Sequence, residues 1–274
     1  MEVSLYIQKQ KVVRLDCTVM IVGGGIFIKK IDRTGIEKTN IQGCKMKIIE
    51  YKNSKEMKVQ FIDKYKTVVH AQWKEFNNGH LLNPYFPTVC NVGIVGGRNK
   101  RYEFEYVYWK NILMRCYDES VKKKHQTYKE CTVCEEWLLY DNFKKWCDEN
   151  YYQIENERMQ VDKDILFKRN KHYSPKTCCF VPDRINSLII KSDAIRGEYP
   201  IGVSYNKRSG LYSASMKKNN KNIWLGEYTT PEKAFNIYKI EKEKYIKEVA
   251  DSYKEKIPDK LYKALYNYCV EVDD

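Results

Sequence analysis

The chain lacks any apolar run long enough to span a bilayer, and Met1–Gln10 lacks the apolar core of a secretion signal. It also has only four histidines, which leaves few side chains that titrate near neutral pH. Ten cysteines without a secretion signal indicate reduced thiols in a cytoplasm. We therefore expect a cytoplasmic protein with no membrane partner.

Acidic residues are absent between Gly202 and Gly226, although the chain as a whole is rich in charge. That segment carries five basic residues: Lys207, Arg208, Lys217, Lys218 and Lys221. The formal net charge of the whole chain is +13. Composition drift in an AT-rich genome also raises lysine content, but it does not concentrate basic residues in one acid-free segment. The local excess favours a polyanion, and we expect that partner to be nucleic acid, with an anionic membrane surface as the alternative.

Apolar periodicity predicts an α+β fold of several small domains. The alternation in Met46–Tyr51, Met57–Ile62 and Thr67–Gln72 predicts strands, and Trp73 begins a short helix. From Tyr106 onward the apolar spacing becomes helical. The predicted domains are N-terminal β modules at 1–100, a helical segment with a ββα finger at 101–196, a three-stranded sheet packed on one helix at 197–250, and a helix with a tail at 251–274.

Two more helices are predicted in the central and C-terminal parts of the chain. Asp141 is a candidate cap for the first, which would turn Phe143 and Trp146 inward. Thr230 caps the second, and Pro231 occupies its first turn, where proline is tolerated.

The basic segment also resembles a known family. Gly202–Val203, Gly210–Ala214, Leu225–Tyr228 and Pro231–Tyr238 follow one another as in the ethylene-response-factor (APETALA-type) DNA-binding domain. The resemblance implies that a three-stranded sheet lies in the major groove and that a helix packs behind it. Lysine stands where that family is richer in arginine and tryptophan, which favours DNA binding over strict sequence readout. The expected DNA-binding residues are Tyr205, Lys207, Arg208, Tyr212, Ser215, Lys217 and Trp224.

A strand over 158–167 is predicted to carry two carboxylates. Alternation places Asp162 and Asp164 on one face, and Val161, Ile165 and Phe167 toward the core. Neighbouring carboxylates share a proton or a hard divalent cation, unless lysines such as Lys163 or Lys168, or Arg169, pair with them. Asn186, on the helix after the hairpin, would supply an amide oxygen. Both a Mg²⁺ or Mn²⁺ site on Asp162 and Asn186 and a purely structural ion pair fit this pattern.

A second resemblance covers about Trp109–Asn186. Trp109–Cys116, Val133–Trp137, Val161–Ile165 and Asn170–Cys178 are similar to phage-encoded HNH-type homing endonucleases, which often carry the same C-terminal domain. The resemblance implies a ββα metal finger that hydrolyses DNA in a bacterial host. It places the metal ligands on Asp162 and Asn186.

The same resemblance places the general base on Lys163, which is a departure from the family's histidine. A lysine with a pKa of about 10.4 is protonated at neutral pH and does not deprotonate water. His172 and Asp164 are the alternative groups for activating water, and Arg169 and Lys171 are candidates for holding phosphate.

The spacing of Cys131 and Cys134 is that of zinc ligands, but no second pair accompanies it. Cys178 and Cys179 are adjacent on a strand and point to opposite faces, so the pattern does not favour structural zinc. The N-terminal β modules leave three roles open: a second DNA contact, a protein-binding adaptor, or packing for the finger.

Two functions are therefore expected. The first is a metal-dependent DNA endonuclease of homing type. The second is a catalytically silent DNA-binding regulator, or an inhibitor that competes for nucleic acid or for an enzyme that binds it.

Overall fold

Helices and strands are mixed along the chain, as the α+β prediction requires. The computed structural model describes residues 17–22, 25–97, 100–189 and 198–272. The contacts divide the chain into two compact units: residues 1–88 with 94–98, and residues 89–93 with 99–274. No helix of the described ranges is both long and apolar enough to cross a membrane. The predicted boundary at 196/197 lies outside the described residues.

The first unit consists of β structure with one short helix. Its strands are β1 (Cys17–Val22), β2 (Gly25–Lys30), β3 (Glu37–Thr39), β4 (Lys45–Asn53), β5 (Glu56–Phe61) and β6 (Val68–Ala71). β1 and β2 form an antiparallel hairpin, and β3 to β6 form an antiparallel meander. Helix α1 (Trp73–Asn77) follows β6, and its Phe76 is fully buried with Met46 and Ile48. The predicted strands and the predicted short helix are confirmed.

The second unit begins with helices around an aromatic core. They are α2 (Phe104–Tyr117), α3 (Glu119–Lys124) and α4 (Tyr140–Asn150). The indole of Trp109 is buried and donates to the carbonyl of Trp137 at 2.6 Å. Phe143 and Trp146, predicted to turn inward on α4, are buried. The helical spacing after Tyr106 is also confirmed, because one face of α2 is buried through Trp109, Ile112, Leu113 and Cys116. Asp141 is not the cap of α4, because the helix already begins at Tyr140; its carboxylate pairs instead with Lys100.

A hairpin and a helix follow. Strand β7 (Thr132–Val133) pairs in parallel with β9 (His172–Tyr173), while β8 (Met159–Asp162) pairs in antiparallel fashion with β10 (Cys179–Pro182). Helix α5 (Asp183–Ile189) begins directly after β10. The buried Val181 and Ile185 belong to one apolar core with α6 and α7 of the C-terminal region.

The C-terminal region contains the predicted three-stranded antiparallel sheet. Its strands are β11 (Val203–Asn206), β12 (Leu211–Lys218) and β13 (Lys221–Tyr228), in that order. Asn219 and Asn220 both have positive φ and form the two-residue turn between β12 and β13. Helix α6 (Pro231–Tyr253) is capped by Thr230, whose Oγ1 accepts from the amide of Lys233. Helix α7 (Asp259–Tyr266) packs on α6.

Candidate nucleic-acid interface and the aspartate hairpin

The C-terminal sheet has a covered face and an open face, which strand alternation separates. Ala214 and Met216 of β12 are buried, and Met216 shares a core with Phe235 and Tyr238 of α6. The side chains between them in sequence point the other way. We call this other side the open face; its residues are Ser204, Asn206, Leu211, Ser213, Ser215, Lys217, Asn222, Trp224 and Glu227.

Trp224 is the largest side chain of the open face, and 67% of it is exposed. Its cross-strand partner on β12 is Ser215, and its indole Nε1 donates to Ser213 Oγ at 3.2 Å. On the same face, Asn206 Nδ2 donates to Glu227 Oε1 at 2.6 Å. The open face therefore combines an exposed ring, three serine hydroxyls and one carboxylate that already accepts a hydrogen bond from an amide.

Four exposed cations surround these groups. Lys207 and Arg208 lie in the turn between β11 and β12, and Lys217 lies on the open face. Lys221 begins β13 beside the turn at Asn219 and Asn220; it is opposite Lys218 and therefore at the edge of the open face, not on it. None of the four forms an ion pair with another described residue. Lys218 differs, because its ammonium pairs with Glu248 at 2.6 Å. Unpaired surface cations remain available to neutralise phosphates.

Tyr205 and Tyr212 are predicted to contact DNA together with Trp224, but the structure places these two tyrosines on the face of the sheet opposite to Trp224. They are paired across β11 and β12, on the same face as the buried Ala214. Their ring centroids are 5.2 Å apart, and the ring of Tyr199 lies 5.3 Å from that of Tyr212. The reason is strand parity: residues 212 and 214 of one strand share a face. These tyrosines therefore form an aromatic cluster on the other side of the sheet.

In the aspartate hairpin, defined as β8, β10 and the turn 163–167, the strand ends earlier than predicted. Asp162 Oδ1 accepts from the backbone amides of Asp164 at 2.8 Å and Ile165 at 2.7 Å. This capping turns the chain out of the strand, as aspartate commonly does. The prediction that Asp162 and Asp164 share a strand face is wrong for this reason. Phe167, predicted to be in the core, is 56% exposed.

Lys163 is a buried cation within this turn. It is 8% exposed, and its Nζ lies 2.9 Å from Asp164 Oδ2 and 5.8 Å from the centroid of the Tyr173 ring. Burial acts to lower the pKa of Lys163, but the charge of Asp164 and the hydrogen bond to it outweigh burial and raise that pKa. The ion pair that the sequence left open as an alternative is therefore present. A protonated, paired Lys163 is not a general base.

Asp162 is half-buried, and its environment opposes its charge. Burial, and then the nearby charge of Asp164, raise the pKa of Asp162 to about 6. Asn186 is half-buried on α5 and forms no hydrogen bond with another described residue. The second oxygen of Asp162 and the amide oxygen of Asn186 have the chemistry that Mg²⁺ prefers. No group of three histidine, cysteine or acidic side chains within the described ranges is placed to bind a metal.

His172 lies at the start of β9 and is exposed. Its Nδ1 is 2.8 Å from Thr132 Oγ1 on the paired strand β7. Its carbonyl accepts from Asn170 Nδ2 at 2.7 Å, and the same amide also contacts the carbonyl of Lys163 at 2.7 Å. The backbone at His172 is thus joined to the aspartate hairpin, whereas its imidazole is hydrogen-bonded to β7.

The two cations expected to hold phosphate have protein partners. Arg169 adopts a φ of +66°, and its Nη2 pairs with Glu271 Oε2 at 2.6 Å. Lys171 Nζ contacts the carbonyl of Thr127 at 3.4 Å. Part of the positive charge near the hairpin is therefore compensated within the protein.

The cysteines of the second unit are mostly buried thiols. Burial raises the pKa values of Cys131 and Cys134, the pair with zinc-ligand spacing. It also raises the pKa of Cys178 to about 12. Protonated thiols of this kind are weak ligands and weak nucleophiles.

The sequence analysis omitted two groups from the candidate interface. Ser213 holds the indole of Trp224, and Lys221 adds an exposed cation at the start of β13. Strand parity with Ser215 and Lys217 was the signal that could have identified Ser213. Glu271, which pairs with Arg169, lies about a hundred residues away in sequence and gave no local signal.

Comparisons with known proteins do not add to this geometry. No family model, no curated protein and no solved structure matches the chain.

Proposed function

We propose that this protein binds double-stranded DNA through the open face of its C-terminal sheet. The observation that carries the proposal is the set of four exposed cations, Lys207, Arg208, Lys217 and Lys221, which form no ion pair with a described residue. They surround an exposed ring and short hydroxyl side chains. Cations of this kind neutralise phosphates, whereas serine hydroxyls and aromatic rings suit sugars and base edges.

The shape of the open face supports a duplex partner. A three-stranded sheet with its helix on the opposite side leaves one face open, and proteins that read DNA with β-strands place those strands in a groove of the duplex. The residue types favour contact with the backbone over base readout. Three of the four cations are lysines, which act as point charges, and only Arg208 has the fork that pairs with guanine. We therefore propose binding with modest sequence preference and strong dependence on salt.

Catalysis is the second candidate function, and one observation favours it. The Asp162 carboxylate keeps one oxygen outside its backbone hydrogen bonds, and Asn186 offers an amide oxygen. Together they would hold Mg²⁺ or Mn²⁺, and such an ion would supply charge stabilisation for phosphodiester hydrolysis. The position of the base weighs against an endonuclease, because Lys163 is a paired ammonium. We favour a silent finger on a DNA-binding regulator or competitive inhibitor.

The test separates binding from cleavage in one assay. Purified protein is incubated with supercoiled and linear DNA, with Mg²⁺, with Mn²⁺ or with chelator, and both retardation and nicking are scored. We expect salt-sensitive retardation in every condition and no nicking. Metal-dependent nicking that is lost in Asp162→Asn, a variant that keeps the backbone cap, would establish the endonuclease instead. Absence of retardation at low salt would contradict DNA binding.

A further inference from the structure

A second basic surface lies in the same unit, between the turn after β8 and helix α7. It is a groove of about 580 Å³. Its charged lining consists of Lys168, Lys176, Lys260 and Lys263, and no carboxylate lines it. Phe167 and Tyr268 supply its rings. The two sides of the groove lie about a hundred residues apart in sequence, so no local pattern joins them.

The lysines of the groove differ in how they are engaged. Lys176 and Lys260 are exposed and form no ion pair with another described residue. Lys263 pairs with Asp259 at 2.6 Å, but both side chains are about 70% exposed, so this pair contributes little. Lys168 donates to the carbonyl of Cys269 at 2.7 Å, pairs with Glu271 Oε2 at 3.4 Å and lies 4.9 Å from the centroid of the Tyr268 ring. Lys168 thus shapes the groove, while the other three face solvent.

Phe167 adds an exposed aromatic ring to the lysines of the groove. Its side chain is 56% exposed, although the neighbouring Ile165 is buried in the core with Val181 and Ile185. An exposed phenylalanine in a lysine-lined groove offers a flat apolar surface beside cations. Aromatic side chains interleaved with lysines are typical of sites that track a single nucleic-acid strand, where bases stack and phosphates pair with ammonium groups.

We propose that this groove binds a short single strand of nucleic acid. Its phosphates would pair with Lys176, Lys260 and Lys263, and one base would stack on Phe167. The lack of lining carboxylates favours a polyanion, and the exposed ring favours a nucleic-acid strand over an acidic peptide, which would use the cations but not the stacking surface. The groove is a different surface from the open face of the C-terminal sheet, which we assign to the duplex.

The experiment measures fluorescence anisotropy of a fluorescein-labelled dT10 oligonucleotide with the full chain. Lys260→Ala combined with Lys263→Ala is expected to weaken dT10 binding by about tenfold or more at low salt. It should also reduce the slope of log K against log[salt] by about 1.4, as two fewer single-strand phosphate contacts require. Phe167→Ala should weaken binding by about tenfold, whereas Phe167→Tyr should retain it. All three positions are exposed, so the variants are expected to fold.

Controls make the result specific to the groove. Lys55→Ala combined with Lys74→Ala removes the same charge from exposed positions of the first unit and should leave dT10 affinity unchanged. Duplex binding should be unchanged in the groove variants and reduced in Lys207→Ala with Arg208→Ala, so failure of one surface is distinguishable from failure of the other. Unchanged dT10 affinity in Phe167→Ala would overturn the proposal. Equal competition by a decameric poly-glutamate would also overturn it, in favour of an acidic protein partner.

Discussion

The open face of the C-terminal sheet and the aspartate hairpin use charge in opposite ways. On the open face and its turns, Lys207, Arg208, Lys217 and Lys221 are exposed and unpaired among the described residues. In the hairpin, Lys163 is 8% exposed and pairs with Asp164. A cation in the first region is available to a partner, whereas the cation in the second stabilises its own fold. The high net positive charge of the chain therefore does not by itself show which surface binds a partner.

Removing the buried ammonium of Lys163 tests whether this cation stabilises the aspartate hairpin, and it should have the largest effect. Lys163→Met leaves Asp164 without its partner and keeps Asp162 in an unfavourable environment. Because Asp164 is 44% exposed, we expect a loss of about 2 kcal/mol in the free energy of unfolding, less than for a fully buried pair. Urea denaturation measures it. Lys217→Met, the same substitution on the open face, should change stability by less than about 0.5 kcal/mol. Equal effects of the two substitutions would contradict the comparison.

Removing cations beside the open face tests its other half. Lys207→Ala with Arg208→Ala should weaken duplex binding by about tenfold to a hundredfold at moderate salt. The slope of log K against log[salt] should decrease by about 1.8, because two phosphate contacts are lost. Anisotropy of a labelled duplex measures both quantities, and Lys55→Ala with Lys74→Ala serves as the charge-matched control. An unchanged salt slope would place the DNA surface elsewhere.

The two faces of the sheet are expected to differ in how much their aromatic residues contribute to duplex affinity, and this effect is smaller than that of the two cations. Trp224→Ala, on the open face, should weaken duplex binding by about tenfold through loss of contacts between the ring and the sugars and base edges. Tyr205→Ala, on the covered side, should leave duplex affinity within about twofold. The same labelled duplex reports both variants. A larger loss of affinity for Tyr205→Ala than for Trp224→Ala would reverse the assignment of faces.

The smallest effect is the pH dependence that Asp162 imposes on stability. Its pKa rises from 3.8 to about 6 on folding, so its ionisation costs stability. The stability contribution is greatest below pH 4, is lost as pH rises from about 4 to 6, and is constant above. We expect an effect on the order of 1 kcal/mol after allowing for solvent screening. Asp162→Asn should flatten this region of the curve in chelator. A wild-type stability that rises over this interval in parallel with the variant would argue against the shifted carboxyl.

Much of the fold follows from local pattern. Helical spacing identified the buried face of α2, alternation identified β4 and β5, and Thr230 with Pro231 located the start of α6. These features depend on neighbours within a few residues. The alternation of residues along β12 also determines which side chains lie on each face of the sheet. By this rule Tyr212 shares a face with Ala214 and not with Ser213 and Ser215.

The remaining features depend on contacts that no local pattern contains. The strand before Asp162 ends because a side-chain oxygen takes two backbone amides, a choice that competes with continued pairing. The partner of Arg169 is Glu271, and the groove at Phe167 is completed by α7. Each joins segments about a hundred residues apart, and only the folded chain brings them together.

Mapping which lysines DNA protects from acetylation tests most directly whether the open face of the C-terminal sheet binds DNA. The protein is acetylated with and without a saturating duplex, and each lysine is quantified by mass spectrometry. We expect DNA to protect Lys207, Lys217 and Lys221 from acetylation and to cause no change at the exposed Lys55 and Lys74. The buried Lys163 should be modified little with or without DNA. Protection of Lys55 and Lys74 without protection at the C-terminal sheet would contradict DNA binding by the open face.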